Sequence, residues 1–171
     1  MLICFALVSC RTAETTDGMA IADIRLGEST ASDVERCHGP PDSVEHHGEY
    51  SAEMVYAQRG LSFYYRKDDE HKSIFSIAVT PPYQLRTVEG IGLDSSTMED
   101  VRKAYGDLNW KTTNGSDYWF SEHDGIEYGV LREKSVPQYP LNERLHMTRK
   151  IIRIDIDNRY RTQQVEAPDA E

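Results

Sequence analysis

The sequence predicts an α+β fold, a tandem repeat of short helices packed on antiparallel β-sheets. Three observations predict it. A segment recurs at a constant offset, each copy carries helix-capping residues, and the period of the apolar residues changes to two downstream of each copy. Ile24 to Gly39 and Ile91 to Gly106 align without a gap at an offset of 67. Ile, Leu, Ser, Thr, Asp, Val and Gly recur at matched places, seven identities in sixteen positions.

Each copy opens on a capped helix. Thr30 and Thr97 are the N-cap residues, with Asp33 and Asp100 three residues on, a capping-box spacing with Asp in the usual Glu/Gln place. The hydroxyl accepts a first-turn N–H, and the carboxylate sits at the positive helix end. Val34 and Cys37, like Val101 and Ala104, share one helical face. Gly39 and Gly106 suit the left-handed position that ends a helix, and Pro40-Pro41 forbids continuation of the first.

Strands follow. Leu61, Phe63 and Tyr65 alternate with Ser62, Tyr64 and Arg66, and Phe75, Ile77 and Val79 with Ile74, Ser76 and Ala78. In the second copy Ile126, Tyr128 and Val130 alternate with Glu127 and Gly129, and Ile152, Ile154 and Ile156 with Arg153 and Asp155. Such alternation marks strands with one face on a core. Gln58-Arg59-Gly60, Asp68-Asp69-Glu70, Asn114-Gly115 and His123-Asp124-Gly125 are the hairpin connections. Neither small sheet can cover its own face, so the two copies should pack or pair into one unit. Pro81-Pro82-Tyr83-Gln84 links them. The chain divides into 20–83 and 84–160, with a long insertion at 132–149 and a polar, disordered tail at 161–171.

With 171 residues and 19.5 kDa the chain can bury a real core. Its formal charge is −10 and its pI about 5.0. Such a chain, with no basic cluster, is a poor binder of nucleic acid, which needs Lys and Arg to displace counterions. The absence of any apolar run of roughly 18–20 residues excludes a multi-pass membrane protein.

Residues 1–10 read as the end of an export signal. Leu7-Val8-Ser9-Cys10 has the form of a bacterial lipobox, in which the sulfur of Cys10 is acylated, and 11–19 follow as a polar tether. The membrane is then reached through a lipid. Cleavage before Cys10 removes Cys4 and leaves Cys37 with no disulfide partner, as a small buried hydrophobe on its helix.

Nothing in the chain spells a catalytic site. The histidines are His38, His46, His47, His71, His123 and His146, and no pair has the i, i+4 spacing of a zinc helix. His46-His47 falls in a loop beside Glu45 and Glu49. There is no nucleophile elbow, Walker loop or dinucleotide fingerprint. Glu122, Asp124 and Glu127 are a polar hairpin end. No cofactor and no metal is expected.

Ile24-Arg25-Leu26-Gly27, the capped helix and Gly39-Pro40-Pro41 resemble the small outer-membrane lipoproteins of the SmpA/OmlA (BamE-like) family. The duplicated form, with Thr87-Val88-Glu89-Gly90-Ile91-Gly92-Leu93 opening the second copy, is similar to the tandem arrangement of β-lactamase inhibitor proteins. The resemblance implies a non-enzymatic envelope lipoprotein that binds another protein, with a place in outer-membrane assembly or maintenance, facing the periplasm. A periplasmic inhibitor or immunity protein, its acidic surface steering it to a basic target, is the alternative. The period of two supplies candidate binding residues. If Phe63, Tyr65, Tyr128, Val130 and Ile154 point to the core, then Tyr64, Arg66, Glu127 and Arg153 share the opposite face. Trp119 joins them if Tyr118 and Phe120 point inward. Trp, Tyr and Arg are the residues most enriched at interface hot spots.

Overall fold

The computed structural model describes residues 20–112, 118–123, 125–132 and 143–158. The export segment with Cys10, the tether, the Asn114-Gly115 turn, Asp124 and the tail lie outside the described residues. Ile21, Ile24 and Leu26 are apolar and close together in the chain. They bury themselves by folding β1 (Ala20–Ile21) back on β2 (Ile24–Arg25) as a small ribbon at the margin of the core.

Helix α1 (Ala31–His38) then starts at the Thr30 cap, where the Asp33 carboxylate accepts from the Thr30 N–H at 2.8 Å and from its hydroxyl at 2.9 Å. Those bonds hold the Asp33 carboxyl below the ordinary aspartate range. Gly39 ends the helix. Four strands follow as a meander: β3 (Ser43–His47), β4 (Ser51–Tyr56), β5 (Leu61–Arg66) and β6 (Ile74–Val79). The β4–β5 turn needs glycine at position 60. Its φ is +67°, and a Cβ there would sit 2.0 Å from the Thr80 carbonyl oxygen.

The second half runs α2 (Met98–Tyr105), β7 (Trp110–Lys111), β8 (Tyr118–His123), β9 (Ile126–Leu131), α3 (Glu143–Met147) and β10 (Arg153–Asp157). Asp100 accepts from the Thr97 N–H and hydroxyl, both at 2.9 Å, and its carboxyl is held low for the same reason as that of Asp33. Val34 and Val101 are both fully buried, α1 against β5 and α2 against β9. Cys37 is half-buried against the core.

The expected tandem repeat of short helices packed on antiparallel β-sheets is corrected here. Among the described residues, all the strands after the ribbon form one eight-stranded antiparallel sheet in the order β3-β4-β5-β6-β10-β9-β8-β7, with three short α-helices. The join is β6 against β10, from Val79↔Ile154 to Ser76↔Asp157. Both strands are buried along most of their length. Left as edges, they would expose unpaired backbone groups and apolar side chains together, and pairing them removes both edges at once. Three local readings change as well. His46-His47 lies on strand β3 rather than in a loop. A register shift between Tyr64 and Tyr65 turns Ile74 into the core and leaves Phe75 on the other side, the reverse of the expected alternation. The insertion at 132–149 carries α3.

Candidate functional site

The helices and the ribbon cover one face of the sheet, where Phe63, Ile77, Ile154, Tyr128 and Val130 are fully buried. The register places every second residue on the opposite face: Glu53 beside Tyr64, Tyr64 beside Ser76, and Asp155 beside Glu127. This second face is polar, and its centre is an ordered network rather than a solvated surface.

Arg153 is the hub. Its Nε donates to Asp155 Oδ2 at 2.9 Å and its Nη2 to Oδ1 at 2.8 Å, a bidentate pair that fixes the plane of the guanidinium. Nη2 also donates to the Tyr64 hydroxyl at 3.1 Å, joining β10 to β5 across the centre of the sheet. The guanidinium lies 5.5 Å from the centroid of the Tyr118 ring. Burial works against its charge, but the Asp155 carboxylate outweighs burial and holds Arg153 cationic. Burial also pushes the Tyr64 hydroxyl well above the ordinary tyrosine range, so it stays protonated.

The network continues outward on both sides. Burial alone would raise Glu53, yet the neighbouring hydroxyls of Ser62 and Tyr64 and the His47 imidazole, 2.8 Å away, outweigh it and hold the carboxyl below the usual glutamate range. On the other side the Lys111 ammonium lies 2.7 Å from Glu127. Gly129, between Phe120 and Arg153, leaves room for both side chains: a Cβ there would lie 2.8 Å from the Phe120 ring.

Four of the five candidate residues therefore lie on the face opposite the core. Tyr64, Glu127 and Arg153 sit in the network, and Arg66 lies at its exposed rim in an ion pair with Asp68. The fifth is corrected. Trp119 pairs with Val130 on the core face and is 3% exposed, because Tyr118 and Phe120 point to the polar face instead. It packs near the buried His146, with ring centroids 6.2 Å apart. Glu53, Ser62 and Tyr118 belong to the face and were not singled out. The alternation of Ala52, Met54 and Tyr56 with Ser51, Glu53 and Val55 carried the signal for Glu53. Beside α2 an open cleft of about 480 Å³ is lined largely by polar groups, among them Arg86, Glu89, Ser95 and Lys103.

No protein-family model matches the chain, and no curated protein matches it. Solved structures similar to it include a DUF4309 family protein (YjgB) of Bacillus subtilis, with a TM-score of 0.49 and 13% identity over 80% of this chain and 83% of that one. An extracellular protein of Bacillus anthracis containing an SCP domain gives a TM-score of 0.41 and 13% identity, over 91% of this chain and 51% of that one. A cysteine-rich secretory protein of Staphylococcus aureus gives 0.39 and 11%, over 79% and 45%. None of these three is an SmpA/OmlA lipoprotein or a β-lactamase inhibitor protein, and the fold is a single eight-stranded sheet. The resemblance read from the two helix-start segments is corrected accordingly.

Proposed function

We propose that the chain is a non-enzymatic bacterial envelope protein, lipid-anchored at Cys10, that holds a protein partner on the polar face of its sheet. The observation that carries this reading is the preorganisation of Arg153. A guanidinium already fixed by Asp155 and Tyr64 loses little side-chain freedom when a partner arrives. Aromatic rings surround it, Tyr64 with Phe75 and Tyr118 with Phe120, at centroid distances of 6.4 and 5.7 Å. Arginine among aromatic rings is a common composition for an interface centre. The Leu-Val-Ser-Cys tetrapeptide and the polar residues after it support the anchor.

Two variants test the reading. With the chain expressed behind a complete export signal, Cys10→Ala should abolish labelling by a palmitate analogue. Arg66→Glu, at the exposed rim, should reduce the recovery of the protein that co-purifies with wild type from native membranes while leaving the melting temperature unchanged. Unlabelled wild-type protein would remove the anchor. Recovery unaffected by the charge reversal would move the partner off this face.

A further inference from the structure

We propose that Glu45, His47 and Glu53 form a binding site for a divalent transition-metal ion of the zinc class. The strand pairing builds it. Glu45 and His47 lie two residues apart on β3, so they project from the same face, and Glu53 is the direct partner of Glu45 across β4. One ligand atom from each of the three lies within 4.8 Å of the others. Ligands around a tetrahedral zinc stand about 3.3 Å apart, so closure needs only side-chain rotation on a rigid pair of strands.

Two features point to a cation rather than to a chance grouping. Glu45 makes no hydrogen bond and no ion pair among the described residues, although it stands opposite a second carboxylate. Like charges directly opposed across two strands are destabilising, and a cation between them reverses the sign of that interaction. Glu53, in turn, is 9% exposed and held in place from behind. Tyr64 stands directly opposite it on β5 with Ser62 two residues away, both act to keep it ionised, and its Oε2 is turned to His47, whose Nε2 is 2.8 Å away. Metal-binding carboxylates and imidazoles are oriented by partners of this kind.

The donor set selects the metal class. One imidazole nitrogen with two carboxylates suits zinc and its neighbours, whereas calcium and magnesium take oxygen ligands. The neutral imidazole would carry its proton on Nδ1 and turn the Nε2 lone pair to the ion. Three protein ligands leave a fourth position for water. The site lies at the outer edge of the sheet, and Tyr64 ties it to Arg153. It stands independently of the partner-binding reading.

The test is a zinc titration of the untagged full chain by calorimetry, with a calcium titration beside it. The site predicts one zinc per chain. Glu45→Gln and His47→Ala should each weaken binding by at least about tenfold. Both side chains are exposed, and an unchanged metal-free melting temperature shows that the variants are folded. His46→Ala is the control, since His46 is on the same strand and faces the other way, and it should leave the affinity unchanged. Absence of one-to-one binding would overturn the proposal. So would an equal loss in His46→Ala, which means diffuse adsorption to an acidic surface, or calcium binding as tight as zinc, which means that His47 is not a ligand.

Discussion

Phe63 and Tyr64 are neighbours in the chain and end in two different kinds of environment. Phe63 faces the helices, buried in the apolar core against the rings of His38 and Tyr56, so its contribution is set chiefly by the area it buries. Tyr64 faces the other way and is held between Arg153 and Glu53, so its contribution depends on partners that need one another. The same contrast separates Ile154 from Arg153 and Asp155 on β10. One face of the sheet gains stability by excluding water. The other satisfies a set of buried charges, and such a set adds little net stability yet costs much when broken. A face of that second kind fixes the positions of its charges, which recognition requires and a core does not.

The contrast can be broken from either side. Phe63→Ala should cause the largest loss, about 3–5 kcal/mol in chemical denaturation, and no single compensating change should restore it. Arg153→Met should cost about 3 kcal/mol, because it strands the Asp155 carboxylate in a buried position. Adding Asp155→Leu to Arg153→Met should recover most of that loss. A double-mutant cycle measures the coupling, and simple additivity would show that the polar face is held like the core face.

The helix caps should give the smallest effects. Thr30→Ala and Thr97→Ala should each cost about 1 kcal/mol in thermal or chemical denaturation. The same caps carry a pH dependence of known sign. The Asp33 and Asp100 carboxyls titrate below their unfolded value of 3.8, so their stabilisation is present above that value. It is lost as the pH falls through the lower folded values. Glu53 is also depressed and adds in the same direction from its own reference of 4.5. Asp33→Asn with Asp100→Asn should flatten the decline in melting temperature below about pH 4.

Local chemistry was legible and non-local pairing was not. Thr30, Asp33, Thr97 and Asp100 announce their caps because all the partners lie within one turn. The face of each side chain on β5, β9 and β10 follows from the period of two. The join of β6 to β10 does not, since it pairs residues some 75 positions apart in the chain, Val79 with Ile154 among them. The face of Trp119 turns on whether Tyr118 and Phe120 point inward, and three consecutive aromatics hide the alternation that would decide it. Strand β3 leaves no mark in the sequence because every one of its residues is exposed, so no apolar face reveals it and His46-His47 looks like a loop. With β3 unseen, the meeting of Glu45, His47 and Glu53 was out of reach, although all three residues stand within nine positions of one another.

The two-face account is tested most directly by site-specific photo-cross-linking in native membranes. A benzophenone side chain is placed at Arg66, on the rim of the polar face, or at Glu35, exposed on α1 on the helical side of the sheet. The account predicts a discrete cross-linked partner from position 66 and none from position 35. Cross-linking from position 35 alone, or equally from both, would contradict it.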